Sequence, residues 1–365
     1  MVEENPQGRP KHLYTTQNAG IDAKIQEITR SLEVDEFDRT LIAEMITSAY
    51  RFGLDGASTL DLKIINSAVK ELRYAFNIFQ PYRHLQKVAV FGSARTPKGR
   101  PYYNIANEFG QIMSKAGWMT ITGAASGIMK AANEGAGREA SFGLNIRLPF
   151  EQEANPIVAK DRKLITCKYF FTRKLLFIKE SQATVLFPGG FGTLDEGFEC
   201  LTLVQTGKAD PRPIVFADVA DGHFWRPLLE FMEQRLFKEG MVSSYDHAIY
   251  HVARSPQEAA DAILRFYSVY HSMRYVGDHL VLRLNRRLPE KTVARLSYDF
   301  QDMILEGGIQ QGKALEEEKE SQGDEPELKD LPRLIFRFNR KDYGRLMELI
   351  HRINGAEPSG SVGTP

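Results

Sequence analysis

Three short stretches of small residues follow short apolar runs: Gly92-Ser93, Gly123 to Gly127, and Gly189 to Thr193. The third, made of Gly189, Gly190, Phe191, Gly192 and Thr193 behind Pro188, is the most informative. Glycines let a backbone turn sharply and come close to a ligand. A helix that follows such a turn offers unpaired N–H groups and the positive end of its dipole, and Thr193 adds a hydroxyl donor. Phosphate is the natural guest. Glycines after strands also serve plain turn geometry, so any one loop alone leaves structure and ligand open. No Gly-Lys-Ser/Thr follows, and the spacing is not GxGxxG, which moves dinucleotide binding down the order.

Ionisable residues accompany this loop. Glu196 is expected in the first turn of the helix after it, and Arg173-Lys174 on the helix before the preceding strand. Spacing alone leaves two meanings for each: Glu196 as a ligand-facing carboxylate or a helix-start decoration, and Arg173-Lys174 as anion contacts or a solvated face. None of the eight histidines falls in these segments. His247 and His251 stand four apart, but their surroundings read as much like a strand as a helix, no third ligand is evident, and no metal site is expected. The two cysteines, Cys167 and Cys200, are read as buried bystanders.

Elements that could position these groups alternate. Strands are expected at Val88–Phe91, Trp118–Thr122, Phe142–Leu148, Ala183–Phe187 and Pro213–Ala217. Helices are expected at Tyr102–Ala116, from the Gly127 loop through Ala140, and at Tyr169–Glu180, Glu196–Thr206 and Trp225–Leu236. Such alternation predicts an α/β fold: a Rossmann-like doubly wound parallel sheet with ligands beyond the carboxyl ends of its strands. Before it lie three helical stripes (Ile21 to Leu32, Phe37 to Ala49, Ile65 to Phe79), read as a cap packed on the next domain or on a partner subunit. After it, a strand at Leu280–Leu284, a helix at Pro289–Leu305, a strand at Leu334–Phe338 and a helix at Tyr343–Ile353 suggest a small α/β module, expected to be ferredoxin-like. The organisation expected is a disordered start (1–20), a helical cap (21–84), a Rossmann-like nucleotide-binding domain (85–266), a small α/β module (267–354) with an acidic, solvated loop (313–331), and a flexible tail (355–365).

Bulk composition adds limits. The 365 residues are 42% hydrophobic and 26% charged, with 47 Lys+Arg against 47 Asp+Glu, so no global field favours a nucleic acid polymer or an anionic membrane. Residues 1–20 carry no apolar signal core, and no apolar run reaches the roughly 18 residues of a spanning helix. A reducing cytoplasm is the expected compartment.

These residues resemble a known family. Pro188-Gly-Gly-Phe-Gly-Thr-Leu-Asp-Glu196 is similar to the PGGxGTxxE signature of the LOG (Lonely Guy) phosphoribohydrolases, and Phe171-Thr-Arg-Lys174 resembles their upstream Arg-Lys element. The similarity runs through Val90 to Arg95, Gly123 to Met129 and Leu201 to Lys208. It implies hydrolysis of the N-glycosidic bond of a nucleoside 5′-monophosphate, of AMP or cytokinin type, to free base and ribose 5-phosphate. The resemblance also implies Glu196 and Arg173 as the catalytic pair and a substrate site of Lys174, the Gly189–Thr193 loop, Gly92, Ser93, Gly123 and Gly127, with Thr202 and Gln205 as further contacts. It carries no cofactor or metal, and a homodimer or higher homo-oligomer. Members have been labelled lysine decarboxylases, but no pyridoxal-phosphate lysine context is recognisable, and Lys174 is better read as a phosphate or sugar contact. The same fold also serves non-catalytic carriers of nucleotides or of molybdenum cofactor, the alternative reading. Longer relatives carry added ends, and here the C-terminal module is expected to bind a small-molecule effector. One departure concerns the second loop: Gly123-Ala-Ala-Ser-Gly127 stands where related sequences often read Gly-Gly-Gly-Pro-Gly, so added methyls are expected to narrow the site there. The segment Leu148–Glu153 with Asn155 is read either as base-pocket lining or as a surface connection.

Overall fold

The computed structural model describes residues 14–148, 153–320 and 328–356. The chain divides into two compact units, Met1–Lys70 and Glu71–Pro365. The first holds helices α1 (Ala19–Arg30) and α2 (Glu36–Leu54) and the start of α3 (Thr59–Phe79), whose end belongs to the second unit. Asn18 caps α1, accepting from the N–H groups of Gly20 and Ile21, and Asp35 caps α2 through the Asp38 N–H. Much of the length of the apolar stripes is exposed in the single chain. Phe37 is 72% exposed and Met45 60%, while the small Ala43 and Thr47 are the buried positions of α2.

The second unit is built on a parallel sheet. Its elements are β1 (Lys87–Phe91), α4 (Pro101–Lys115), β2 (Met119–Thr122), α5 (Ile128–Ala136), β3 (Ser141–Ile146), β4 (Leu164–Cys167), α6 (Phe170–Glu180), β5 (Ala183–Leu186), α7 (Phe191–Gln205), β6 (Ile214–Ala217), α8 (Arg226–Phe231), β7 (Tyr250–Ala253) and α9 (Pro256–Phe266). The seven strands lie in the order β4-β3-β2-β1-β5-β6-β7, every pairing parallel. β1, β2, β5 and β6 are buried at every position, which explains their unbroken apolar runs. The doubly wound sheet expected from sequence is present, and its strand order reverses between β1 and β5. That switch point is where a crevice opens beyond the strand ends.

Several boundaries differ from expectation. α5 stops at Ala136 rather than Ala140, because Gly137 follows at φ +81°. α7 begins at Phe191, five residues before the position expected, since its glycine-containing first turn looks unlike a helix by propensity. Edge strand β4 and helix α9 were not foreseen. His247 lies in a 3-10 turn, Ser244–Ile249, and His251 in β7, so they share no helix face.

The C-terminal elements are β8 (Tyr270–Val276), β9 (His279–Leu284), α10 (Glu290–Asp299), β10 (Gln310–Gly312), α11 (Glu316–Glu320), β11 (Arg333–Phe336) and α12 (Tyr343–Asn354). They make an antiparallel sheet of order β10-β11-β9-β8. Two strand pairs, each followed by a helix, replace the β-α-β-β-α-β order expected of a ferredoxin-like module. The acidic stretch is not wholly a solvated loop either. Its Glu318 is fully buried on α11, 3.0 Å from the equally buried Arg333 and 3.1 Å from Arg283. The central part of that stretch, 321–327, and the base-pocket candidates 149–152 lie outside the described residues, as do 1–13 and 357–365 of the expected disordered ends.

Candidate functional site

A cleft of about 670 Å³ lies at the switch point, lined by the ends of β1, β2, β3 and β5 and by the start of α7. Among the predicted residues it collects Gly92, Ser93, Gly123, Arg173, Gly190, Phe191, Gly192, Thr193 and Glu196. The first and third loops are tied together by the Ser93 N–H donating to the Pro188 carbonyl at 3.0 Å. The Ile128 N–H donates to the Ser93 carbonyl at 3.0 Å, bringing in the second loop.

The glycines divide by what a side chain would meet. At Gly189 a Cβ would sit 2.1 Å from the Thr193 hydroxyl, and at Gly127, φ +64°, 2.2 Å from the Ser93 carbonyl. Both are required by packing between loops, and neither lines the cleft. At Gly190 and Gly192 a Cβ would meet nothing within 4 Å. No packing of the described chain explains those two glycines, and both face the cleft. Gly190 is also the N-cap of α7 and brings no capping side chain, so the first N–H groups of the helix are left for an outside acceptor.

Glu196 stands in the second turn of α7, not the first, and is only 3% exposed. Its Oε1 lies 3.7 Å from Arg173 Nη2 and its Oε2 3.6 Å from Lys174 Nζ. Burial pushes its carboxyl up to about 6, against the opposing pull of Lys174 and Arg173. Burial also lowers Arg173, with Glu196 working the other way, yet a guanidinium remains charged at any working pH. Arg173 leans on Phe170, its guanidinium carbon 5.0 Å from the ring centre, and its buried Nε has no hydrogen-bond partner. Lys174 is spoken for: its Nζ is 2.7 Å from Glu199 and 2.9 Å from Asp195. Burial would lower its amine, but these bonds and the Glu196 charge hold it above the ordinary lysine range. It therefore sits behind Glu196 rather than on the cleft wall.

Two predicted contacts are not brought to the cleft. The Thr202 hydroxyl donates to the Phe198 carbonyl on the exposed side of α7, and the Gln205 amide donates to Asp246 at 2.6 Å. Asn155 lines neither a base pocket nor the surface. It is buried, and its amide donates to the carbonyls of Ala124 and Ala125, bracing the second loop. That brace holds Ala124 in the left-handed region at φ +63°, with its methyl buried against Gly143. Of the two methyls in that loop, only the one on Ala125 borders the cleft.

Sequence reasoning passed over several residues. Asn145, Met129 and Arg95 also line the cleft. Asn145 sits on β3, where an amide among Leu144 and Ile146 was the available signal. Glu71, on α3, accepts from the Lys168 N–H at 3.0 Å and the Thr172 hydroxyl at 2.7 Å, and so fixes the start of the helix that carries Arg173. Its distance in sequence left no local signal. Among the described residues no group of three His, Cys, Asp or Glu side chains is placed to hold a metal, and no helix is long and apolar enough to cross a membrane. Cys167 and Cys200 are free and buried.

A family model described as possible lysine decarboxylase matches residues 126–263. A probable cytokinin riboside 5′-monophosphate phosphoribohydrolase of Oryza sativa subsp. japonica is 24% identical over 222 residues, 60% of this chain and 80% of its own length. A second protein of that name from the same organism is 35% identical over 99 residues, 27% of this chain and 44% of its own. Among solved structures, the molybdenum cofactor binding protein from Rippkaea orientalis gives a TM-score of 0.36 at 19% identity, covering 49% of this chain and 96% of its own. The molybdenum cofactor carrier protein from Chlamydomonas reinhardtii gives 0.35 at 21% identity, covering 50% and 97%. The matched segment spans α5 to α9 and the relatives carry LOG-type names, which agrees with the resemblance read from the central motifs: the parallel α/β domain of this chain is similar to the LOG family.

Proposed function

We propose that the protein hydrolyses the N-glycosidic bond of a nucleoside 5′-monophosphate of AMP or cytokinin type, releasing the base and ribose 5-phosphate. The observation that carries this reading is the buried Glu196 carboxylate facing the same cleft as an uncapped helix start with two glycines that nothing in the chain fills. The 5′-phosphate binds at Gly190–Thr193, where N–H groups and the helix dipole favour an anion. Arg95 and the Ser93 loop border the same space. Breaking the C1′–N bond leaves its electron pair on the base and builds positive charge on the ribose, as in glycoside hydrolysis. Glu196 stabilises that charge and takes a proton from the attacking water, whose oxygen bonds to C1′; the departing base takes up one proton from solvent and Glu196 returns its own to solvent, so the net change is one water split between C1′ and the base. Arg173, permanently charged, positions the nucleotide and Glu196 and donates no proton.

The names of the relatives support the substrate class. The chemistry needs no metal or cofactor. A homo-oligomer belongs to the same proposal: Phe170, Phe171 and Leu175 on α6 are each about half exposed beside the cleft.

The test is incubation of the purified chain with nucleoside 5′-monophosphates and the matching nucleosides, followed by chromatography of the released bases. Base and ribose 5-phosphate should appear from a monophosphate and not from its nucleoside. Glu196→Gln should lower the rate by on the order of 10³. Recovery of intact nucleotide from a stable complex, with no release from any substrate, would favour a carrier.

A further inference from the structure

A second cavity, of about 530 Å³, opens at the other edge of the parallel sheet. Gln86 precedes β1, Gln182 precedes β5, and Asp210, Pro211 and Arg212 precede β6, so the cavity lies at the amino ends of β1, β5 and β6, across the sheet from the cleft at the carboxyl ends of β1 and β5. Its far wall is β8 and β9, through Ser272 and Arg283.

Its charge is unbalanced. Arg83, Lys179, Arg212 and Arg283 line it, against one carboxylate, Asp210. Lys179 is paired with Glu180 and Arg283 with Glu318. Arg212 and Arg83 have no such partner among the described residues. Arg212 is 8% exposed, and its Nη1 donates to the Ile178 carbonyl at 2.8 Å and the Ser181 hydroxyl at 3.3 Å, both neutral. Its Nε is buried without any hydrogen-bond partner. Capping the end of α6 accounts for Nη1, and the Asp210 carboxylate of the same cavity acts on Arg212 electrostatically without a direct ion pair, which leaves Nε unpaired. Arg83, exposed at the rim, donates only to His84. A guanidinium taken out of water with no direct ion pair is costly, and a planar fork of donors suits phosphate oxygens. The volume falls in the range of small-molecule sites.

We propose that this cavity binds a phosphorylated small anion, with Arg212 as its buried anchor and Arg83 as its rim contact, at a site separate from the catalytic cleft. The proposal does not depend on the hydrolase reading.

The experiment is calorimetric titration of the full chain with inorganic pyrophosphate. Arg83→Glu and Arg212→Gln are compared with Arg95→Glu, which changes the cleft instead. Saturable binding is expected, weakened tenfold or more by Arg83→Glu and by Arg212→Gln. Arg83→Glu alters an exposed side chain and should keep the wild-type melting temperature, so it decides the matter if Arg212→Gln fails to fold. The proposal is overturned if the wild type binds no pyrophosphate, if a folded Arg83→Glu binds it as the wild type does, or if Arg95→Glu alone abolishes binding.

Discussion

At the residue scale the central question is the protonation of Glu196. Burial raises its carboxyl to about 6, and Lys174 and Arg173 keep it from going higher. In the proposed hydrolysis the ionised form is the one that stabilises a developing cation and accepts a proton from water. Turnover should therefore be full well above pH 6, fall to about half near 6, and be lost once the carboxyl is protonated. Removing Lys174 with Lys174→Met takes away a positive neighbour and leaves Glu199 and Asp195 uncompensated nearby. Both changes raise the Glu196 carboxyl further, so the acid limb of kcat/KM against pH should move to higher pH. A limb that stays in place, or moves down, contradicts this role for Lys174. The sequence made Glu196, Arg173 and the Gly-rich loop legible because they form one compact motif and its partner. Spacing did not show Asp195 and Glu199 closing around the Lys174 amine, which sets it off the cleft lining. Asn145 and Glu71 were out of reach for a related reason: their partners come from other strands and helices.

The elements show what local pattern can and cannot reveal. Continuous apolar runs gave the inner strands almost to the residue, since a strand buried on both faces has no polar side to confuse. Crossings between helices left no such trace. α4 and α5 meet backbone to backbone: a Cβ at Gly135 would lie 1.9 Å from the Asn107 carbonyl oxygen, and one at Gly110 would lie 2.3 Å from that of Ala132. Each glycine looks like a defect in its own helix and becomes intelligible only across the pair. Gly135→Ala must push the helices apart, at a cost of about 1–3 kcal/mol for overpacking. Because Gly127, the N-cap of α5, packs against the Ser93 carbonyl, the shift should also reach the cleft. A lowered melting temperature together with weaker nucleotide binding is expected. Wild-type values for both would show that the contact can relax locally.

For the second unit as a whole, the sequence suggested a separate small module from residue 267 onward, and the packing argues against a clean cut there. Tyr343, Leu346, Met347, Ile350 and Ile353 of α12 are buried in the same hydrophobic cluster as Val204 of α7, Ile214 of β6 and Phe266 of α9. Gly207, at φ +66°, leaves room for the Tyr343 ring, which would lie 1.9 Å from any Cβ there. The Tyr267 hydroxyl donates to the Gln182 carbonyl at 2.6 Å, and the His351 ring lies 3.1 Å from the Ala248 carbonyl. Each large apolar side chain uncovered costs about 2 kcal/mol, and a domain's whole margin is roughly 5–15 kcal/mol, so losing α12 alone removes most of it. A chain ending at Phe266 should aggregate, or melt far below the full protein, before any effect on catalysis can be read. Point changes inside the second cavity are then the informative probes of the C-terminal sheet. A truncated chain that melts within a few degrees of the full one would show instead that the parallel sheet sustains its own core.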